Sequence, residues 1–382
     1  MSLEVTAVSS LQGVDELAWA ALTDPNDPFT QYRFLRLLET SQSVGPQHTG
    51  WVPCHVLVHR AGALVAAMPL YLKEHSYGEF IFDFGWAQAA FRAGISYYPK
   101  LVSAVPLTPA TGRRLLMRAG EEPRELAQAL LAGAREIMRT VPASSLHVLF
   151  CKADEAALLA ELGLHARASV QYHLTPPDTL TTFADYTAAL RHSARKQVRK
   201  EREQARGYGL TLSMRPFSEL PPADIAAMWT FYNTTIDQHG SSAYLTRAFF
   251  EGLPESPMAF AAMAHDGEEA VAGALFFASA TAMYGRYWGA IRDLPMLHFE
   301  LCYYFPIEWG LARGIRHFEA GAQGEHKIKR GFLPVTCHSA HLAAHPGLDR
   351  AIADFVRDEA RYVDREKELL SEATPFRRGD GT

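Results

Sequence analysis

The sequence predicts an α+β fold: two tandem copies of a mixed, mostly antiparallel sheet flanked by helices, over 1–174 and 175–346, with a C-terminal helix and tail over 347–382. Three observations predict it. The alternation in "CHVLVHRAGALVAAMPLYLK" reads as a hairpin turning at Arg60–Gly62, and "MAFAAMAHDGEEAVAGALFFAS" (258–279) as a second one turning at Asp266–Gly267. The elements around both hairpins recur in one order, helix–helix–hairpin–strand–helix–strand–helix–strand, as an internal duplication does. The double proline of "TPPD" (175–178) stops a strand between the copies.

In the first copy, apolar spacing marks helices near 14–22 and 28–40 ahead of the hairpin. A strand at "KLVSAVPL" (100–107) runs into "TPATGRRLLMRAG", a Thr/Pro/Gly loop that opens a helix. A helix over 123–140, a strand over 146–151, a helix over 154–163 and a strand over 167–174 complete it. The second copy has a long helix over 182–206, others over 221–238 and 246–252, then its hairpin. A helix over 298–313, a strand at "IRHFEA" and a final strand at "VTCHSAHLAA" follow. "YGEFIFDFGWA" and "MYGRYWGA" sit at corresponding places after the hairpins. The last helix, about 348–370, is charged on one side and apolar on the other.

With 382 residues, 48% of them apolar, the chain can bury two cores. A net charge of −5 excludes a generally basic nucleic-acid coat and gives no reason to expect a DNA partner. Cys54, Cys151, Cys302 and Cys337 are far apart and form no CxxC, which argues against a zinc site or a disulfide framework. "MSLEVTAVSS" lacks the charged and apolar segments of a signal peptide, and no apolar run reaches about 18 residues. The expectation is a cytoplasmic protein without a transmembrane segment or a metal; its oligomeric state is open.

Four stretches carry charge where a core would be apolar. "EAGAQGEHKIKRGFLP" (319–334) packs Glu325, His326, Lys327, Lys329 and Arg330 behind a glycine turn. On a helical turn His326 and Arg330 are i,i+4 and share a face with Lys327. Lys327 or Arg330 could hold a developing oxyanion, and His326 or Glu325 could take a proton. The plainer reading is a solvated helix start with one surface ion pair. "YGRYWGAIRDLPMLHFELCYYFPIEW" brings Arg286, Tyr287, Trp288, His298, Glu300 and Tyr303 together. Arg286 interrupts an apolar strand, so it reaches solvent or a polar cleft. Glu300 is read as a buried base or as the group that orients Arg286. His298 and Cys302 share a helix face without further ligands at metal-binding spacing. "RHSARKQVRKEREQAR" (191–206) sets Arg191, Arg195, Arg199, Arg202 and Arg206 in one stripe. Arg195 and Arg199 are its phosphate-binding candidates, and a solvated basic face is the alternative. In "VPLTPATGRRLL" (105–116), Thr108, Thr111, Gly112 and Arg113 could hold phosphate at a helix start, or merely cap it. Asp83, Trp86, Tyr98 and Lys100 form a polar-aromatic mixture suited to the wall of a substrate cleft.

"GAQGEHKIKRGFLP…SAH", "LHFELCYY", "YGRYWGA", "MPLYLKEHSYGEFIFDFGWA" and "YYPKLVSAVPLTPATGRRLL" resemble the bacterial FemAB-like predicted N-acyltransferases over about residues 25–345. The resemblance implies two tandem GNAT-type acyltransferase domains and acyl transfer to an amine. Fem ligases take an aminoacyl group from charged tRNA to a peptidoglycan precursor. The chain lacks the coiled-coil arm of some Fem ligases, and it lacks a clear Arg/Gln-x-x-Gly-x-Gly/Ala pyrophosphate signature. The resemblance places 105–116 where a GNAT domain holds its carrier's pyrophosphate. It favours a catalytic role for the 324–332 motif, with Lys329 in a Lys-x-x-Phe arrangement like that of the Fem group's catalytic lysine. It implies a site built by 83–113 and 286–330, and no tightly bound cofactor. The co-substrate would be an acyl-CoA or an aminoacyl-tRNA, and the acceptor a small molecule or a cell-wall precursor. Two other functions fit the residues: a non-catalytic module binding a cell-wall or nucleotide-linked ligand, and an RNA-binding protein using the 191–206 stripe.

Overall fold

The computed structural model describes residues 2–238, 240, 242–321 and 324–377. Its strands in chain order are β1 (Leu3–Val8), β2 (Val52–Pro53), β3 (His55–Arg60), β4 (Ala63–Met68), β5 (Tyr71–Lys73), β6 (Lys100–Ser103), β7 (Leu116–Met117) and β8 (Ser145–Cys151). Then come β9 (His165–Leu174), β10 (Thr211–Pro216), β11 (Ala259–Asp266), β12 (Glu269–Ala278), β13 (Ala282–Ala290), β14 (His317–Glu319) and β15 (Leu333–Ala343). The chain forms two compact units: Met1–Val170 with Thr336–Glu366, and Gln171–Val335 with Lys367–Thr382.

In the first unit, β1-β3-β4-β7 make an antiparallel sheet around the expected hairpin, whose turn uses left-handed Ala61 and Gly62. The chain then leaves that sheet within two residues, and β5 joins β6, which runs parallel to β8. Helix Pro123–Thr140 makes the crossover between β6 and β8 and buries Leu126, Leu130, Leu131 and Ala134 in the core. The N-terminal strand β1 escaped the sequence reading: its side chains are half-buried or exposed, none buried, as on an edge strand.

The second unit has the order β10-β11-β12-β13-β14-β9, antiparallel except for the β13–β14 pair. A helical crossover again joins the parallel strands: Leu297–Phe299, a π-helical turn over Glu300–Tyr304, and Phe305–Leu311. Pro306 has no N–H for the carbonyl four residues back, and the helix widens just ahead of it. Helix Pro222–Gln238 lies so close to β13 that a Cβ on Gly289 would sit 1.8 Å from the Phe231 carbonyl oxygen.

Three expectations change. The last strand of each copy is exchanged: residues 338–343 of β15 pair with β8 of the first unit, and His173 and Leu174 of β9 pair with β14 of the second. The first unit also takes most of the C-terminal helix, Pro346–Glu372. The 182–206 helix is broken at Leu190 and Arg191 into Phe183–Ala189 and His192–Arg206, because Leu190 bridges to Phe376. No helix opens at Gly112; Val105–Leu115 is a loop with prolines at 106 and 109, ending in the two-residue β7. Among the described residues no helix is long and apolar enough to cross a membrane.

Candidate active site

Among the described residues, β13 pairs with β14 over Ala282–Tyr284, and the ladder ends at Tyr284 and Glu319. On its other side β13 carries a bulge: Tyr287 pairs with Leu275 and Gly285 with Phe276, so Arg286 is the extra residue. A bulge re-aims its side chain. A cavity of about 400 Å³ is lined by Gly285, Arg286, Tyr287 and Trp288 from β13, and by Ala320. Ala274, Leu275 and Phe276 of β12 line it too, with Tyr232, Thr235 and Ile236 of one helix and His298, Cys302 and Tyr303 of the crossover.

The cavity is cationic and polar at one end. Desolvation lowers the pKa of the Arg286 guanidinium, while Tyr287 and the Glu319 carboxylate raise it. Tyr287 and Tyr232 meet edge to face, and Trp288 lies 5.0 Å from the His298 ring. Burial, then the charges of His326, Arg330 and Lys327, push His298 down to about 4, which leaves it neutral at pH 7. The Tyr303 hydroxyl lies 3.1 Å from His326 Nε2, and burial keeps that phenol protonated.

Behind this end lies the charged motif, Glu325–Arg330, folded as a 3-10 helix between Gly324 and left-handed Gly331. Lys327 is buried, and its ammonium donates to the Gly321 carbonyl at 2.8 Å. Burial and the charge of Arg286 bring it down to about 7. Arg330 is buried as well. It donates to Glu201 at 2.7 Å and to the His326 carbonyl at 2.9 Å, with its guanidinium 3.5 Å over the Phe299 ring. Glu201 also accepts the Tyr304 hydroxyl. Arg330 is thus held by Glu201 and by the backbone of its own motif. Lys329 is exposed, and the Glu325 side chain lies outside the described residues.

The expected sites are thus partly gathered and partly dispersed. Arg286, Tyr287, Trp288, His298 and Tyr303 line one cavity, with His326 and Lys327 behind it. Glu300 does not orient Arg286. It is fully buried under the basic helix and accepts Arg202 at 2.9 Å and Arg206 at 3.1 Å. Arg195 and Arg199 do not line the cavity; they border a groove of about 390 Å³ with Phe183, Thr187, Val198, Arg202, Glu203 and Arg206.

In the first unit the proposed cleft wall is interior. Lys100 is fully buried and bonds Glu79 and Ser76 at 2.8 Å and also Asp83. Tyr97 donates to Asp83 at 2.6 Å, the Tyr98 hydroxyl lies 2.8 Å from Ser76, and Trp86 packs on His147 and His341. Within 105–116, Thr108 is buried, Gly112 N–H donates to Phe150, and the exposed Arg113 pairs with Asp154 at 2.7 Å. Glu155, on the helix that follows β8, accepts the N–H groups of Arg114 and Leu115, so part of the loop's backbone is bonded to neighbouring elements. Sequence reasoning missed Glu201. Its signal was present: Val198, Glu201 and Ala205 share the buried face of an otherwise charged helix.

The model of the FemAB-like family, described as peptidoglycan biosynthesis/recognition, matches residues 10–378. No curated protein sequence matches. Among solved structures, FemX is 11% identical with a TM-score of 0.53, over 91% of this chain and 100% of that one. A conserved protein of unknown function from Bacteroides thetaiotaomicron is 12% identical at TM-score 0.51, over 88% and 99%. L-PGS from Bacillus licheniformis is 9% identical at TM-score 0.50, over 89% and 96%. At such identities the likeness shows the fold alone: a mixed helix-and-sheet architecture of the α+β class that the sequence led us to expect.

Proposed function

The chain belongs to the FemAB-like family, and from that premise we propose that it transfers an acyl or aminoacyl group from a carrier to an amine in the cavity that β13 lines. The observation that carries this reading is a cationic side chain, Arg286, aimed by a bulge into that cavity beside a neutral imidazole and a protonated phenol. The acceptor nitrogen attacks the acyl carbonyl carbon and a C–N bond forms. The carbonyl oxygen gains negative charge, which Arg286 and the Tyr303 hydroxyl stabilise. Neutral His298 takes the proton that the amine gives up. As the carbonyl re-forms, the bond to the carrier breaks, a C–S bond for acyl-CoA or a C–O bond for aminoacyl-tRNA, and the carrier leaves. Lys327 tunes the field at Arg286, and Arg330 is a positioning residue.

The carrier is a co-substrate, and the acceptor is an amine of a peptidoglycan precursor met in the cytoplasm. Arg195 and Arg199, at the groove bordered by the basic helix, hold the carrier's phosphates. The test is mass spectrometry of products from the purified protein with a panel of acyl-CoAs and charged tRNAs and a cell-wall pentapeptide precursor. The expected result is one amide product, lost in Arg286→Gln with donor binding retained. Ligand binding without any product would favour the non-catalytic module instead. Unaltered KM in the Arg195→Glu/Arg199→Glu double variant would remove the phosphate role.

A further inference from the structure

We propose that His173, His317 and Glu319 form a binding site for one divalent transition-metal ion, zinc foremost. Glu319 on β14 stands directly opposite His173 on β9, and His317 is two residues before Glu319, hence on the same face of the same strand. His317 Nε2 lies 2.9 Å from Glu319 Oε1 and His173 Nε2 lies 3.7 Å from it. One ligand atom from each residue falls within 4.8 Å of the other two. Zinc bonds to imidazole nitrogen and carboxylate oxygen are about 2.0–2.2 Å long, so tetrahedral geometry sets ligand atoms roughly 3.3–3.5 Å apart. The two separations, 2.9 and 3.7 Å, bracket that value. All three backbones are fixed in paired strands.

The donor set points to the same class of ion. Two imidazoles and one carboxylate suit zinc and its first-row neighbours, whereas calcium and magnesium prefer oxygen alone. Three protein ligands leave a fourth position for water or another ligand. Burial is graded: the side chains of Glu319 and His173 are 6% and 10% exposed and that of His317 is 33% exposed, so the set is sheltered yet reachable from one side. The site adjoins Ala320 in the cavity wall, and Glu319 is one of the charges that raise the pKa of Arg286. A bound cation would draw that carboxylate away from Arg286 and clip together two strands that share only two residue pairs. The proposal does not depend on the reaction assigned to the cavity.

The full-length protein, stripped with a chelator and dialysed, is titrated with Zn²⁺ alone by calorimetry and with Co²⁺ alone by visible absorption. One equivalent of Zn²⁺ should bind and raise the melting temperature. Co²⁺ should give the ligand-field bands of a four-coordinate nitrogen/oxygen site. His317→Ala and Glu319→Gln should each weaken binding about tenfold or more. His265→Ala, on a different strand, should leave it unchanged. Absence of stoichiometric Zn²⁺ binding overturns the proposal, and so does binding that survives both substitutions undiminished. Should the variants fail to fold, the cobalt spectrum of the unaltered protein decides: octahedral or absent bands rule the site out.

Discussion

Burial makes the charged form of Lys327 costly, and the Arg286 guanidinium adds repulsion, so its pKa falls to about 7. An unfolded lysine keeps its proton to about pH 10.4. Between about pH 7 and 10 the unfolded chain therefore binds more protons at this residue than the folded chain does. Its contribution makes stability rise with pH across that window. Lys327→Met should flatten the rise by on the order of 1–3 kcal/mol, read from urea denaturation at pH 6.5 and pH 9; an unchanged slope would mean that Lys327 keeps an ordinary ammonium. Glu201→Gln should cost about 3 kcal/mol or more, because Arg330 would stay buried without its carboxylate. The double change Glu201→Leu/Arg330→Met should recover much of that loss in thermal denaturation. At this scale the sequence was informative about which charges are buried and less so about their partners. Arg286 stands out because it breaks an apolar strand, and Lys327 and Arg330 because they abut a stretch that reads as buried. Glu201 looked like one more charge on a charged helix, and only its spacing from Val198 and Ala205 set it apart.

Elements explain why other assignments shifted. Glu300 reads on an ordinary helix as a neighbour of the Arg286 strand, but it opens a π turn and bonds Arg202 and Arg206. Periodicity carries no mark for such a turn other than Pro306. The hairpins were legible because alternation and a glycine turn coincide in them. The bulge at Arg286 was not, since it depends on the register chosen by β12. The Thr/Gly composition of 105–115 suits a helix start and a loop alike, so composition does not tell them apart. Gly289 gives the element scale its test. Any Cβ there would collide with the main chain of Phe231, which no side-chain rotation relieves. Gly289→Ala should push helix Pro222–Gln238 off β13 and lower the thermal midpoint by several degrees, whereas Gly267→Ala, in the open hairpin turn, should cost only the strain of its positive φ.

For the whole molecule, the order of elements pointed to two copies, and the chain does form two units. What the order could not show is which unit receives each last strand. A strand that follows a helix can pair with any exposed edge, and local sequence does not name the edge. The exchange predicts how fragments behave. Residues 1–174 alone should not unfold cooperatively, because β8 would lack β15 and the core would lack the helix from Pro346. Residues 1–170 joined by a flexible linker to 336–366 should give one sharp calorimetric transition. The reverse result would assign β15 no part in that unit's stability. The same arrangement governs how the protein can be made. A ribosome releases its product from the amino end, and after Cys151 it must add roughly 185 residues before Thr336 appears, roughly 10–40 s of elongation. Throughout that interval the edge of β8 is bare and the second unit is being built downstream. The nascent chain thus holds an open strand edge through about half of its synthesis, the condition under which a growing polypeptide calls on a chaperone.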